Sequence, residues 1–235
     1  MASWSPAVLT QISNQLTSTK GLTPSRAWLE TFLTTQKPTT PVPALTSTAS
    51  FRLLASDISR SHDRNTSAAF PNDVSNVNFK ERKLQSLVVV QVLAVEDMSK
   101  SRWEQIEAIE ALERGEGTKG REIIRVVPTE AGDNAETGVQ KGGGPHKLLL
   151  QDVQGNCVYA IELKGVDGVG LGMSIGCKIS LKNVVVARGV VLLEPGTTKI
   201  LGGKIDALHR AWKENRKAEL KAAIEANEGR ARLTS

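Results

Sequence analysis

The three histidines of this 235-residue chain, His62, His146 and His209, are its first candidates for proton transfer or metal ligation. They fall in three separate segments. None has a second ligand at the helical or strand spacing a metal site needs, so each reads as a surface histidine. Cys157 and Cys177 lie in apolar stretches without zinc spacing and read as two buried thiols in a reducing compartment. No G-x-S-x-G elbow is present. Gly165, Gly168, Gly170, Gly172 and Gly176 do not complete a dinucleotide fingerprint, which would need glycine at Met173 or Ile175. Gly202-Gly203-Lys204 has the end of a phosphate loop, but Ile205 stands where Ser or Thr belongs and Thr198 where the upstream glycine belongs. These glycines fit turns with positive φ instead. Glu107 and Glu110, the nearest thing to paired carboxylates, read as the solvated face of a polar helix. The residues therefore predict no metal, no cofactor and no catalytic centre.

Binding is the alternative to catalysis, and composition bounds it. Hydrophobic residues make up 40% of the chain and charged residues 23%, enough apolar material for a core and too little charge for global disorder. A net charge of +5 is compatible with nucleic acid nearby without requiring it. The N-terminus lacks the basic head and apolar run of a signal peptide, and no apolar stretch has the length of a membrane span, so an intracellular, soluble protein is expected.

The elements that must position any binding residues begin with helices. Ser5-Pro6 is a start signal, Val8, Ile12 and Leu16 repeat at helical spacing, and Gly21 stops the run. Thr23-Pro24 repeats the signal ahead of Trp28, Leu29, Phe32 and Leu33. Pro38, Pro41 and Pro43 read as a stiff connector, and a third helix is expected after Ser50 with Phe51, Leu54 and Ile58 on one side. Residues 61–78 read as a loop. The run 87–95 is β-branched and reads as a long strand. An insertion of about 97–146 follows, opening with a helix around Trp103 and Ile109 and closing in Gly142-Gly143-Gly144-Pro145. Strands return at 147–153 and 157–163, where Cys157, Tyr159, Ile161 and Leu163 share a face. A glycine-rich connector leads to a second hairpin, 178–186 and 189–193, turning at Arg188-Gly189. A final helix carries Ile205, Leu208, Trp212, Leu220 and Ile224 on its apolar side, with Gly229 past its end.

This order predicts an α+β protein: an N-terminal three-helix bundle (1–62) packed on a five-stranded OB-fold β-barrel (80–203), with a long insertion between strands 1 and 2 and a C-terminal helix (204–228). OB barrels that grip single-stranded DNA or RNA stack bases on strand aromatics. Here the strands carry only Tyr159, which reads as a core residue, and few basic residues. Weak phosphate contacts remain open to the final helix through Arg210, Lys213, Arg216, Lys217 and Lys221. Trp103, in a charged insertion, is the type of residue that anchors an interface. Its companions Ile106, Ile109 and Leu112 recur every three residues, so docking onto the barrel and docking onto a partner both stay open.

Four stretches of the chain resemble the RecQ-mediated genome instability protein 1 family. The most specific is the tail, Arg188-Gly189-Val190-Val191-Leu192-Leu193-Glu194-Pro195 followed by Lys199-Ile200-Leu201-Gly202-Gly203 and Ile205-Asp206-Ala207-Leu208. Lys147-Leu148-Leu149-Leu150-Gln151-Asp152 is similar to the family's second strand, Trp28-Leu29-Glu30 to its helical signature, and Trp103-Glu104-Gln105-Ile106 to the start of its insertion. The resemblance implies a nuclear, non-catalytic scaffold. It would join a RecQ-family helicase to a type IA topoisomerase III during dissolution of double Holliday junctions and decatenation, with the insertion reaching the topoisomerase gate. Carried over by position, it assigns partner binding to Trp103, Ile106, Ile109 and Lys178. It implies indirect or weak contact with DNA, no membrane, and no small subunit recruited through a second barrel. The insertion after Leu112 departs from the family pattern. The alternative function is that of an OB-fold protein binding single-stranded DNA or RNA.

Overall fold

A computed structural model describes residues 4–64, 68–119, 122–125 and 144–233. Helix α1 (Pro6–Lys20) follows the start signal at Ser5-Pro6, and Gly21 at φ 70° terminates it in the left-handed region. Helix α2 spans Arg26–Thr34, with the Ser25 side chain accepting from the Trp28 N–H. Thr23-Pro24 is not its cap; Pro24 instead bridges to His62. Helix α3 (Val42–Leu54) starts well before Ser50 because Pro41 is its N-cap and Pro43 sits in its first turn. A proline there costs nothing, since the missing N–H has no helical partner. The expected third helix is thus displaced: Phe51 is 77% exposed, and Ile58 opens a separate single turn, α4 (Ile58–Ser61).

The sheet has eight strands where five were expected. Short β1 (Arg82–Leu84) precedes the long β2 (Val88–Asp97). The insertion holds α5 (Arg102–Glu113) and a small hairpin, β3 (Glu116–Lys119) and β4 (Glu122–Arg125). Gly120, Gly142 and Gly143 of the insertion lie outside the described residues. Then come β5 (His146–Gln151), β6 (Cys157–Glu162), β7 (Lys178–Leu181), β8 (Val184–Ala187), β9 (Val190–Leu193) and β10 (Thr198–Gly202). Helix α6 (Asp206–Leu233) ends the described chain, so Gly229 falls within it. The strand order is β1-β8-β9-β6-β5-β2-β7-β10. The run expected as one strand over 178–186 is broken into β7 and β8 because Asn183 takes φ 56°. That two-residue link joins two strands five places apart in the order. β6 and β9 pair in parallel and the other ladders are antiparallel. β10, not among the five strands expected, pairs with β7 as an added edge.

Two apolar clusters result. One fills the sheet interior with Val90, Val92, Leu148, Leu150, Ala160, Ile179, Leu181 and Val191, closed by Met173 and by Trp212 of α6. The other gathers Ile12, Leu16, Leu29, Leu45, Leu53 and Ile58 from the helices with Val89 and Val153 from the sheet, which seats the helical layer on the sheet. Polar groups lock this seam. The Ile58 N–H donates to Gln91 Oε1 at 3.0 Å. The Lys178 ammonium is fully buried and donates to the carbonyls of Leu54 (3.0 Å) and Gly176 (2.7 Å).

His62 is no surface histidine. It is 2% exposed, next to Ser61 Oγ at 3.0 Å, and its Nε2 has no hydrogen-bond partner. Burial first, and the nearby Lys178 charge second, push its pKa from 6.5 down to about 3. As the pH falls through 6.5 the unfolded chain takes up this proton before the folded one does. Stability is therefore retained above 6.5 and lost progressively toward 3. Between pH 7 and 4.5 the wild-type protein should lose roughly 2–3 kcal/mol more unfolding free energy than His62→Gln, measured by urea titration. Equal losses would remove His62 as the source. His146 and His209 are also not surface residues: the first is 4% exposed, and the second is half-buried with its Nδ1 accepting from the Ile175 N–H at 3.2 Å.

Candidate docking site on the insertion helix

The insertion leaves and re-enters the sheet at one paired position, Asp97 opposite His146. Its exit is held by Asp97 Oδ1, which accepts from the Ser99 N–H (2.8 Å) and Oγ–H (2.6 Å). Burial alone would raise the Asp97 pKa, but these bonds, with the His146 and Lys100 charges, outweigh it and the net shift is downward. Its return is held by Glu162, 6% exposed, which accepts from the His146 N–H (2.9 Å) and the Val166 N–H (2.9 Å) and lies 2.6 Å from His146 Nδ1. Both ends of the insertion are thus rigid.

Helix α5 starts at this root with a capping box. Ser101 Oγ accepts from the Glu104 N–H at 3.2 Å and Glu104 Oε2 accepts from the Ser101 N–H at 2.6 Å. The helix lies along α6. Gln105, 3% exposed, donates to the Asp97 and Lys100 carbonyls and accepts from Arg216 at 3.3 Å. Arg216 in turn covers the Trp212 ring at 5.0 Å. Further along, Lys217 pairs with Glu110 (3.2 Å) and Glu113 (2.7 Å), and Lys221 with Glu110 (3.3 Å). Hydrogen bonds from these lysines lower the Glu110 pKa. Glu110 is therefore a clamp residue and not a free solvated carboxylate, while Glu107 is exposed. Exposed pairs of this kind contribute little singly; here three join into a network between the same two helices. Of the five basic residues of α6 that sequence left open for phosphate contacts, Arg216, Lys217 and Lys221 are thereby engaged with α5.

The four sequence-assigned contact residues separate. Trp103 is 61% exposed on α5, Leu112 (65%) is exposed about two and a half turns along on another side of the helix, and Met98 (48%) is exposed at the root. Ile109 is half-buried. Ile106 is 2% exposed and belongs to the packing of α5 on the fold. Lys178 is not on a surface at all: it is the fully buried donor at the helix–sheet seam, so it cannot touch a partner from this position. The stripe that sequence left unresolved thus divides, with Ile106 turned inward and Trp103 outward.

A second exposed face escaped sequence reasoning. On β6 the alternation was read correctly but inverted. Val158, Ala160 and Glu162 point inward, leaving Cys157, Tyr159 (53% exposed) and Leu163 (61%) outside and Ile161 half-covered. Cys157 is accordingly not a buried thiol, although Cys177 is. The apolar set Cys157, Tyr159, Ile161 and Leu163 reads as the inward face, whereas a strand carboxylate such as Glu162 normally faces water. Here it is drawn in by the two N–H groups and the imidazole at the insertion root. The Lys147 ammonium lies over the Tyr159 ring at 5.4 Å.

Among the described residues no cluster of His, Cys, Asp and Glu could hold a metal ion, and no helix is long and apolar enough to cross a membrane. The chemistry offered to solvent is aromatic and aliphatic surface on a rigid frame. A helical layer seated on an eight-stranded sheet with a rooted insertion after its long strand fits an OB-fold protein with an N-terminal helical domain. Residues 58–216 match the family described as the RMI1 N-terminal OB-fold domain, and residues 16–61 match the RMI1 N-terminal helical domain. RecQ-mediated genome instability protein 1 of Schizosaccharomyces pombe is 34% identical over 167 residues, covering 66% of this chain and 69% of its own length. The Xenopus laevis protein of the same name is 30% identical over 82 residues, 34% of this chain and 15% of the frog protein. The chain belongs to the RecQ-mediated genome instability protein 1 family.

Proposed function

We propose that this chain is a non-catalytic scaffold that acts with a RecQ-family helicase and a type IA topoisomerase III in the nucleus. It binds the topoisomerase and biases its DNA gate during double Holliday junction dissolution and decatenation. The observation that carries this reading is Trp103, held 61% exposed on a helix that Gln105, Ile106, Glu110 and Glu113 fix to the fold. Leaving a tryptophan in water gains nothing for the fold, whereas a rigid aromatic anchor gives a partner much binding energy at little entropic cost. A gate held preferentially in one state shifts its population only by the differential affinity for that state, and a rigidly rooted insertion is suited to supply such a difference.

The test separates docking from folding. Trp103→Ala should leave urea stability within about 0.5 kcal/mol, as expected for an exposed site, and should weaken capture of topoisomerase III at least about tenfold, the equivalent of 1.4 kcal/mol. Ile106→Ala should instead lower stability by about 2–4 kcal/mol, because it empties a core position. Deleting residues 101–144 should abolish stimulation of decatenation. Full capture by Trp103→Ala together with unchanged decatenation after the deletion would remove the proposal.

The alternative, binding of single-stranded DNA or RNA, draws support from one feature, the outward Tyr159 beneath Lys147. One ring is a poor stacking track. Tight oligonucleotide binding by the chain alone, with a steep salt dependence, would favour it.

A further inference from the structure

The chain holds four tryptophans, four phenylalanines and one tyrosine, yet three of these rings line a single groove of about 330 Å³ between α2 and α3, with no insertion residue in its walls. Trp28 and Phe32 stack with ring centres 5.6 Å apart and planes 2° from parallel. Phe51 faces them from α3. The core does not need Phe51: α3 buries Leu45, Ala49, Leu53 and Leu54, and the Phe51 ring stays 77% exposed. Thr31, Thr35, Ala55 and Ser56 complete the walls.

Arg52 gives this groove its polarity. Its guanidinium sits 5.5 Å from the Phe32 ring centre and donates through Nη1 to Thr35 Oγ1 at 2.9 Å. Stacking and this one bond fix its plane and leave most of its five N–H donors for another acceptor. It is the one charged residue among those lining the groove, which contains no carboxylate. A planar guanidinium held beside an apolar floor matches a carboxylate bidentately, and the floor matches a large apolar side chain.

We propose that this groove docks a short acidic segment of a partner protein, one that inserts an aromatic or leucine side chain between Trp28, Phe32 and Phe51 and places an Asp or Glu on Arg52. The site shares no residue with the insertion surface, so the two surfaces are open to different partners.

The full chain should be panned against a random 12-residue peptide phage library. The selected peptides should share an apolar anchor within about one helical turn of Asp or Glu. The synthetic consensus peptide, followed by fluorescence polarisation, should bind Phe51→Ser at least about tenfold more weakly. Arg52→Glu should lose binding similarly and regain it when the peptide's acidic residues are replaced by lysine. Both substitutions are at exposed side chains, and thermal melts of both variants should match wild type. The charge-swap recovery is a second readout that misfolding could not produce. Absence of a consensus, a basic consensus, or binding indifferent to Phe51→Ser would overturn the proposal. So would a dimer of the free chain, seen by sedimentation, that Phe51→Ser dissociates, since the groove would then serve a second copy.

Discussion

Lys178→Glu should lower the unfolding free energy by about 4 kcal/mol, the size expected when an uncompensated charge is left inside a protein. The wild-type ammonium is completely buried and its hydrogen bonds go to two backbone carbonyls, one on α3 and one just before β7. A carboxylate there would face those same oxygens with no donor between them. Burial already penalises the native charge: it pushes the Lys178 pKa from 10.5 down to about 8, against the opposing pull of Asp57 and Cys177. Lys178→Met fills similar space and removes that charge while giving up both hydrogen bonds. These effects oppose each other, at about 1.4 kcal/mol per pKa unit against about 1–3 kcal/mol for each orphaned carbonyl. Lys178→Met should therefore stay within about 2 kcal/mol of wild type. Urea unfolding would rank the three proteins, and limited proteolysis would show the helical layer of Lys178→Glu cut free of the sheet. Equal stability of Lys178→Glu and wild type would refute the seam as described. A charge reversal at Lys178 should also abolish partner capture, but through the fold and not through a lost contact. Capture data on this residue are interpretable only beside a melt.

Gly203→Ala should be the most damaging glycine replacement at the same seam. Gly203 takes φ 97°, and a Cβ built on it would fall 2.2 Å from the Leu54 carbonyl oxygen, the acceptor of Lys178. Backbone cannot yield as a flexible side chain does. The helical layer must lift, at a cost of about 3 kcal/mol or more once the left-handed conformation is included. That corresponds to a melting temperature lower by about 10 °C in a chain of this size. Gly202 is the control: its φ of 89° is equally unusual, but a Cβ there meets nothing within 4 Å. Gly202→Ala should cost only the conformational part, about 1–2 kcal/mol. Similar melting shifts for the two variants would mean that the contact with Leu54 is unimportant.

Much of this architecture was legible in the sequence where local chemistry and global fold agree. Gly21 stops α1 in the left-handed conformation it alone tolerates well, and the β-branched run makes β2, the strand from which both neighbours are built. The readings that failed did so where distant residues decide. Pro41 and Pro43 look like a connector until the helix they initiate is counted from its far end. Nothing near Asn183 marks it as a break; the strand bends there because β7 must pair with β2 while β8 pairs with β9. Glu162 and Lys178 are strand residues with charges that belong in water by type. Glu162 is drawn in by His146 on the neighbouring strand and by the Val166 N–H four residues on, and Lys178 by the carbonyl of Leu54, 124 residues away. The outward position of Trp103 was one of two open readings, because a three-residue spacing winds around a helix and only the packing of Gln105 and Ile106 shows which side is covered.

The paired root of the insertion, Asp97 opposite His146, has a consequence for length. The ends of the intervening chain are held together by the sheet whatever lies between them. Ring-closure entropy grows only logarithmically with the number of residues enclosed, so doubling the insertion would cost the fold about 0.6 kcal/mol. Reach can therefore be lengthened or shortened almost independently of stability, with the root acting as a fixed socket for segments of different span.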